Sequence, residues 1–103
     1  MSMLPFDDRD GVIWYNGTLV PWREASAHVL THGLHYASCV FEGERVYGGE
    51  VFKLTEHSER LRRSAEVLDF ELPYSVAEID QATREVIAAM TAMFGPSPGA
   101  AAR

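Results

Sequence analysis

Residues 39–68 read CVFEGERVYGGEVFKLTEHSERLRRSAEVL, and this stretch decides the fold. Its first part, Cys39 to Tyr47, is rich in β-branched and aromatic residues, and EVFKL resumes that character after Gly48-Gly49. Two such runs about a glycine pair predict a β-hairpin, because glycine enters a positive-φ turn without steric cost. Along the first strand Phe41, Gly43, Arg45 and Tyr47 fall on one face. Val40, Glu42, Glu44 and Val46 fall on the other. Gly43 in mid-strand has no side chain to pack, which marks a bulge or a place of close approach. Glu42 and Glu44 read as a solvent-exposed pair. The pattern then changes period. Thr55 is placed to cap a helix, Glu56 and Glu59 lie in its first turns where the dipole favours them, and Leu61, Ala65 and Leu68 form an apolar stripe.

On the N-terminal side, VIWYNGTLVPW at residues 12–22 places two short strands about Asn16-Gly17, with Pro21 ending the second or lying at an edge. Residues 24–38 fit neither a period of two nor one of 3.6, and Gly33 interrupts any long helix. A loop with one helical turn is expected there. On the C-terminal side Pro73 breaks the chain and Ser75-Val-Ala-Glu78 has the form of a capping box. The helix it opens carries a stripe of Val76, Ile79, Thr83, Val86, Met90 and Met93 or Phe94, and Gly95-Pro96 stops it. Residues 95–103 are expected to form a flexible tail. The order hairpin, loop, hairpin, helix, helix predicts an α+β fold: a mainly antiparallel sheet with two helices packed on one face.

Length and charge narrow the function. At 103 residues the chain has room for one core. A net charge of −6 argues against nucleic acid, which requires clustered Lys and Arg. Arg60, Arg62 and Arg63 sit among Glu56, Glu59 and Glu66, the mixture of a solvated helix face. No window approaches the roughly twenty apolar residues of a membrane span, and the N-terminus lacks the basic and apolar regions of a secretory signal. The single cysteine cannot form an internal disulfide. A cytoplasmic chain is the expectation.

Candidate chemistry is sparse. His28, His32 and His35 would share a face on a continuous helix, but no nearby Cys, Asp or Glu completes a familiar ligand set, Glu24 being the only carboxylate close in sequence, so no metal is expected. Cys39 precedes a strand with histidines upstream, yet nothing fixes a Cys–His pair, and an inert buried thiol is the expectation. The glycines at 43, 48 and 49 open no helix and make no phosphate loop. Arg60 falls early in the first long helix. There a planar guanidinium can meet a phosphate, although most helix arginines are merely solvated.

The string HGLHYASCVFEGERVYGGEVFKLTEHSERLRRSAEVL at residues 32–68 nevertheless resembles a known family, as does IWYNGTLVPWREASAHVLTH at residues 13–32. Both resemble the N-terminal domain of branched-chain amino acid aminotransferases, which are class IV pyridoxal-phosphate enzymes. The specific parts are VFEG followed by Arg45, and Glu56-His57 followed by Arg60-Leu61. The resemblance implies that Arg60 binds the phosphate of pyridoxal phosphate. It implies that Tyr36, Phe41, Gly43 and Arg45 line the substrate pocket, where a phenyl wall and a bare glycine suit a branched aliphatic side chain. It implies amino acid and 2-oxo acid substrates, with transfer from Leu, Ile or Val to 2-oxoglutarate, and a homo-oligomer. D-amino acid aminotransferases and 4-amino-4-deoxychorismate lyase share the plan, but VFEG favours the branched-chain type.

Residues 1–94 would be this domain, and no catalytic residue is assigned within it. The family's covalent lysine lies far downstream, in a second domain. The single lysine here, Lys53, does not match it, and the expected Tyr-x-Arg strand is absent. From about Met90 the sequence departs from the family. A truncated piece, inactive by itself, is therefore expected, with a non-catalytic binding or assembly module as the alternative.

Overall fold

Asn16 and Gly17 adopt φ of 48° and 100°, the positive values that a two-residue hairpin loop demands at both central positions. They join β1 (Val12–Tyr15) to β2 (Thr18–Pro21), paired antiparallel from Val12 opposite Pro21 to Tyr15 opposite Thr18. Described in a computed structural model covering residues 5–99, the chain continues through a 3-10 turn (Trp22–Glu24) and a four-residue helix α1 (His32–His35). Gly48 and Gly49, at φ of 56° and 82°, then turn β3 (Val46–Tyr47) into β4 (Glu50–Val51). Two long helices follow, α2 (Leu54–Val67) and α3 (Val76–Phe94). The α+β architecture agrees with the sequence reading, and so do both hairpin turns and the single helical turn in 24–38. Gly33 lies inside that turn rather than ending it.

The antiparallel strands do not merge into one sheet. They form two separate two-stranded ribbons. The strand expected from Cys39 shrinks to Val46–Tyr47, extended by one bond from Phe52 N–H to Arg45 C=O. A strand needs a neighbour to satisfy its backbone groups, and residues 39–44 are paired with no strand among the described residues. The alternation expected over 40–46 therefore has no sheet on which to act.

The two long helices start in different ways. At α3, Ser75 Oγ accepts from Glu78 N–H and the Glu78 carboxylate accepts from Ser75 N–H, so the capping box forms as read. At α2, Lys53, with φ 56°, makes the left-handed step into Leu54 and makes no side-chain cap bond. Thr55 caps nothing and donates to Asp80 Oδ2 at 2.8 Å. Among the described residues the buried apolar side chains are the small Ala65 on α2 and Ala82 on α3. Between the helices Asp80, 6% exposed, also accepts from buried Ser58 Oγ at 2.5 Å. Arg62 is not the solvated side chain expected, because its Nη1 donates to the carbonyls of Leu72 and Tyr74 and fixes the loop between the helices.

Helix α3 also packs on β1, and at its approach Trp14 meets Tyr74 edge-on at 5.0 Å between ring centroids. Val76, Ile79, Thr83, Val86 and Met90 are half-buried as their stripe implies, while Met93 and Phe94 are exposed. Gly11 brings the chain against Met90: a Cβ there would lie 3.1 Å from its methyl carbon, at a φ of +134°. Beyond Gly95 the expected tail turns back onto the second ribbon. Gly48 N–H donates to Pro98 O and Gly49 N–H to Ser97 Oγ, each at 2.8 Å. The rest of that tail, residues 100–103, and the start of the N-terminal segment, residues 1–4, lie outside the described residues.

Candidate functional site

Arg60 projects from the second turn of α2 and meets a carboxylate from the 39–45 segment. Its Nε donates to Glu42 Oε2 at 2.8 Å and its Nη2 to Glu42 Oε1 at 2.6 Å, a two-pronged pairing. His57, one helical turn earlier on the same face, brings Nδ1 within 2.5 Å of Glu42 Oε1. A carboxylate can only accept, so His57 Nδ1 carries the hydrogen. Its 3.5 Å approach to Arg60 Nη2 is then a contact between two donors rather than a bond.

Burial in this cluster is lopsided. The Glu42 side chain is 7% exposed and that of Arg60 58%. The Arg60 and His57 hydrogen bonds together hold the Glu42 carboxyl down to about 2, Arg60 having the larger effect. Glu42 in turn raises the Arg60 guanidinium above its ordinary value. Glu42 is thus not the solvent-exposed acid expected from its spacing to Glu44. The signal lay in its neighbours: the alternation groups it with Val40 and Val46, both half-buried in the structure, and an acid among such residues needs a partner.

Next to this cluster a cleft of about 370 Å³ is lined by Gly43, Arg45, Tyr47, Phe52 and His57. A Cβ on Gly43 would meet nothing within 4 Å, so the glycine keeps that wall open. Arg45 Nη1 lies 3.5 Å from Tyr47 Oη. Of the expected pocket residues, Gly43 and Arg45 lie together beside His57. Tyr36 and Phe41 are not among the cleft's lining residues. Phe41 is exposed, and the exposed Tyr36 ring stacks against His32 and His35. Those two histidines serve as ring contacts, and His28 Nδ1 accepts from Leu30 N–H. No group of three or more His, Cys, Asp or Glu among the described residues is arranged to hold a metal ion. Cys39 is exposed, contrary to the buried thiol expected. No helix among the described residues is long and apolar enough to cross a membrane.

The residues that build this cluster fall within a family match. Residues 39–100, more than half of the chain, match the model described as amino-transferase class IV, and the chain belongs to that family. Its relatives narrow the class. Over 87 residues it is 54% identical to a probable branched-chain-amino-acid aminotransferase of Rickettsia felis, covering 84% of this chain and 30% of the relative. Over 84 residues it is 52% identical to the branched-chain-amino-acid aminotransferase of Pseudomonas aeruginosa, covering 78% of this chain and 27% of that one. Among solved structures, the T.th. branched-chain amino acid aminotransferase complexed with N-(5'-phosphopyridoxyl)-L-glutamate superposes with a TM-score of 0.73 at 43% identity, over 78% of this chain and 29% of its own. The match corresponds to the N-terminal part of these proteins. The chain spans less than a third of the length of the curated relatives it matches.

Proposed function

We propose that residues 1–94 form the small N-terminal domain of a branched-chain amino acid aminotransferase and that Arg60 binds the 5'-phosphate of pyridoxal phosphate. The observation that carries this reading is the state of the Arg60 guanidinium. It is more than half exposed, its Nε and Nη2 are held by Glu42, and its Nη1 makes no hydrogen bond to a described residue. A planar cation with a free N–H edge fits the donor chemistry that a phosphate dianion requires. The cofactor, when bound, supplies the electron sink that amino-group transfer needs.

The remaining roles concern the amino acid. Gly43 leaves room beside the cleft, Arg45 offers a cation for a substrate carboxylate, and Tyr36 and Phe41 supply apolar wall in the assembled enzyme. The substrates are Leu, Ile or Val and 2-oxoglutarate, and the setting is the cytoplasm. With a net charge of −6, nucleic acid is not a partner.

These residues do not catalyse transfer on their own. The single lysine, Lys53, makes the left-handed step before α2, where its exposed ammonium lies 3.7 Å from Glu56. The test is pyridoxal-phosphate absorbance of the purified chain after dialysis and borohydride treatment. Retained, fixed cofactor in stoichiometric amount overturns the inactivity, and loss of pyridoxine 5'-phosphate binding in R60A supports the phosphate role.

Val29, Leu30, Leu34, Tyr36 and Phe41 are all exposed, and together they favour homo-oligomerisation through the 29–41 segment. Size-exclusion chromatography with light scattering checks this, and a clean monomer at high concentration counts against it.

A further inference from the structure

We propose that Glu42 is a positioning residue for the phosphate-binding arginine: anchored by His57, its buried carboxylate grips the Nε–Nη2 edge of Arg60 and turns the Nη1 edge toward the ligand. This deepens the reading of Arg60 as the phosphate donor and rests on it.

The geometry separates two roles that a carboxylate paired with such an arginine could play. A competitor for the guanidinium would be the mobile, solvated member of the pair, free to leave when phosphate arrives. Here the asymmetry runs the other way, with Glu42 7% and Arg60 58% exposed in their side chains. Glu42 is also held from a second side by His57 Nδ1 at 2.5 Å. The carboxylate is the fixed point and the arginine the arm it steers.

The pairing is two-pronged, so it sets the guanidinium plane as well as its place. His57 and Arg60 stand three residues apart on α2, so one carboxylate locks both to the same helix face. An arginine tied in this way has surrendered much of its rotamer freedom before the ligand arrives, and binding no longer bears that cost. The carboxylate also opposes a phosphate by charge. Orientation and repulsion therefore predict opposite consequences for removing it, and the sign of the change decides between them.

The experiment uses the full 103-residue chain with 15N-labelled arginine. It is titrated with pyridoxine 5'-phosphate, which has no aldehyde to react with Lys53, and in parallel with pyridoxine, which lacks the phosphate. In the unmodified chain the Arg60 Nε–H resonance, assigned by its loss in R60A, is expected to stand apart from the other arginines. It should move with the phosphate ester and not with pyridoxine. In Glu42→Gln the resonance is expected to collapse toward the solvated arginines, and affinity to fall by about three- to tenfold, the range set by ordering one long side chain. Circular dichroism should be unchanged.

Glu42→Asp, which withdraws the carboxylate by one methylene, is expected to weaken binding in the same direction. It serves in place of the glutamine variant should that one fail to fold. Equal or tighter binding in the Glu42 variants, with R60A still abolishing it, overturns the positioning role and leaves the phosphate role standing. An unmodified chain that ignores the phosphate ester, or an R60A variant that binds it normally, overturns both.

Discussion

Asp80 is buried and the Glu42 side chain is 7% exposed, and the two carboxylates are satisfied in different ways. Asp80, in the seam between α2 and α3, accepts from two neutral hydroxyls, those of Ser58 and Thr55. Glu42, where the 39–45 segment meets α2, lies against a guanidinium and an imidazole. Both acids bind to residues of α2, and His57 and Ser58 are adjacent, so one helix serves both from neighbouring faces. Hydroxyl donors are short and stiff and suit a seam that must stay closed. An arginine is long and leaves N–H groups over, which suits a place where something else must still bind. Asp80 thus belongs to the architecture, and Glu42 to the phosphate site proposed for Arg60.

The sharpest way to break this contrast is to remove Asp80. Asp80→Ala strands two hydroxyls and opens a hole between the helices, and a loss of about 3 kcal/mol is expected. Urea unfolding followed by circular dichroism measures it, and a loss below about 1 kcal/mol would mean that water replaces the carboxylate without penalty. Removing one donor should do less. Ser58→Ala is expected to cost about 1.5 kcal/mol and Thr55→Ala about 1 kcal/mol, because Ser58 is the buried partner. If Thr55 proved the more costly, helix capping would have to be reconsidered as its role.

Glu42 should reveal itself through the acid dependence of stability. Its carboxyl is held at about 2 in the folded chain, below the ordinary 4.5. A group depressed on folding stabilises the native state when ionised. Its contribution is therefore complete above about pH 4.5, declines as pH falls, and is gone below about 2. Unfolding curves of the unmodified chain and of Glu42→Gln should converge across that window and stay parallel above it. The smallest effect sought is local: in Arg60→Ala the Glu42 carboxyl, followed by 13C resonance, should titrate closer to 4.5. His57 alone then holds it, and an unchanged midpoint would show that Arg60 is not its main partner.

Much of the fold was legible because it is written locally. Asn16-Gly17 and Gly48-Gly49 announce turns through the φ values they tolerate, and Ser75 with Glu78 announces a helix start through two reciprocal bonds three residues apart. Arg60 stood out as a candidate for similar reasons of position. The parts that escaped depend on partners distant in sequence. Thr55 looks like a cap until Asp80, 25 positions on, is seen to claim its hydroxyl. Glu42 looks like a surface acid until Arg60, 18 positions on, is folded back onto it. Residues 39–45 carry the alternation of a strand, but alternation states a preference for a sheet and does not supply the neighbour.

The clasp on the second ribbon has a consequence for the order of folding. Gly49 N–H and its acceptor Ser97 are 48 positions apart, and all of α2 and α3 lies between them. The ribbon itself has two residue pairs and is too short to persist alone. Closing so long a loop is entropically costly until the helices have shortened the path. The Gly48-Gly49 turn should therefore lock only after α3 has docked, as a late event on the native side of the rate-limiting barrier. Ser97→Ala is expected to speed unfolding and leave the folding rate nearly unaltered.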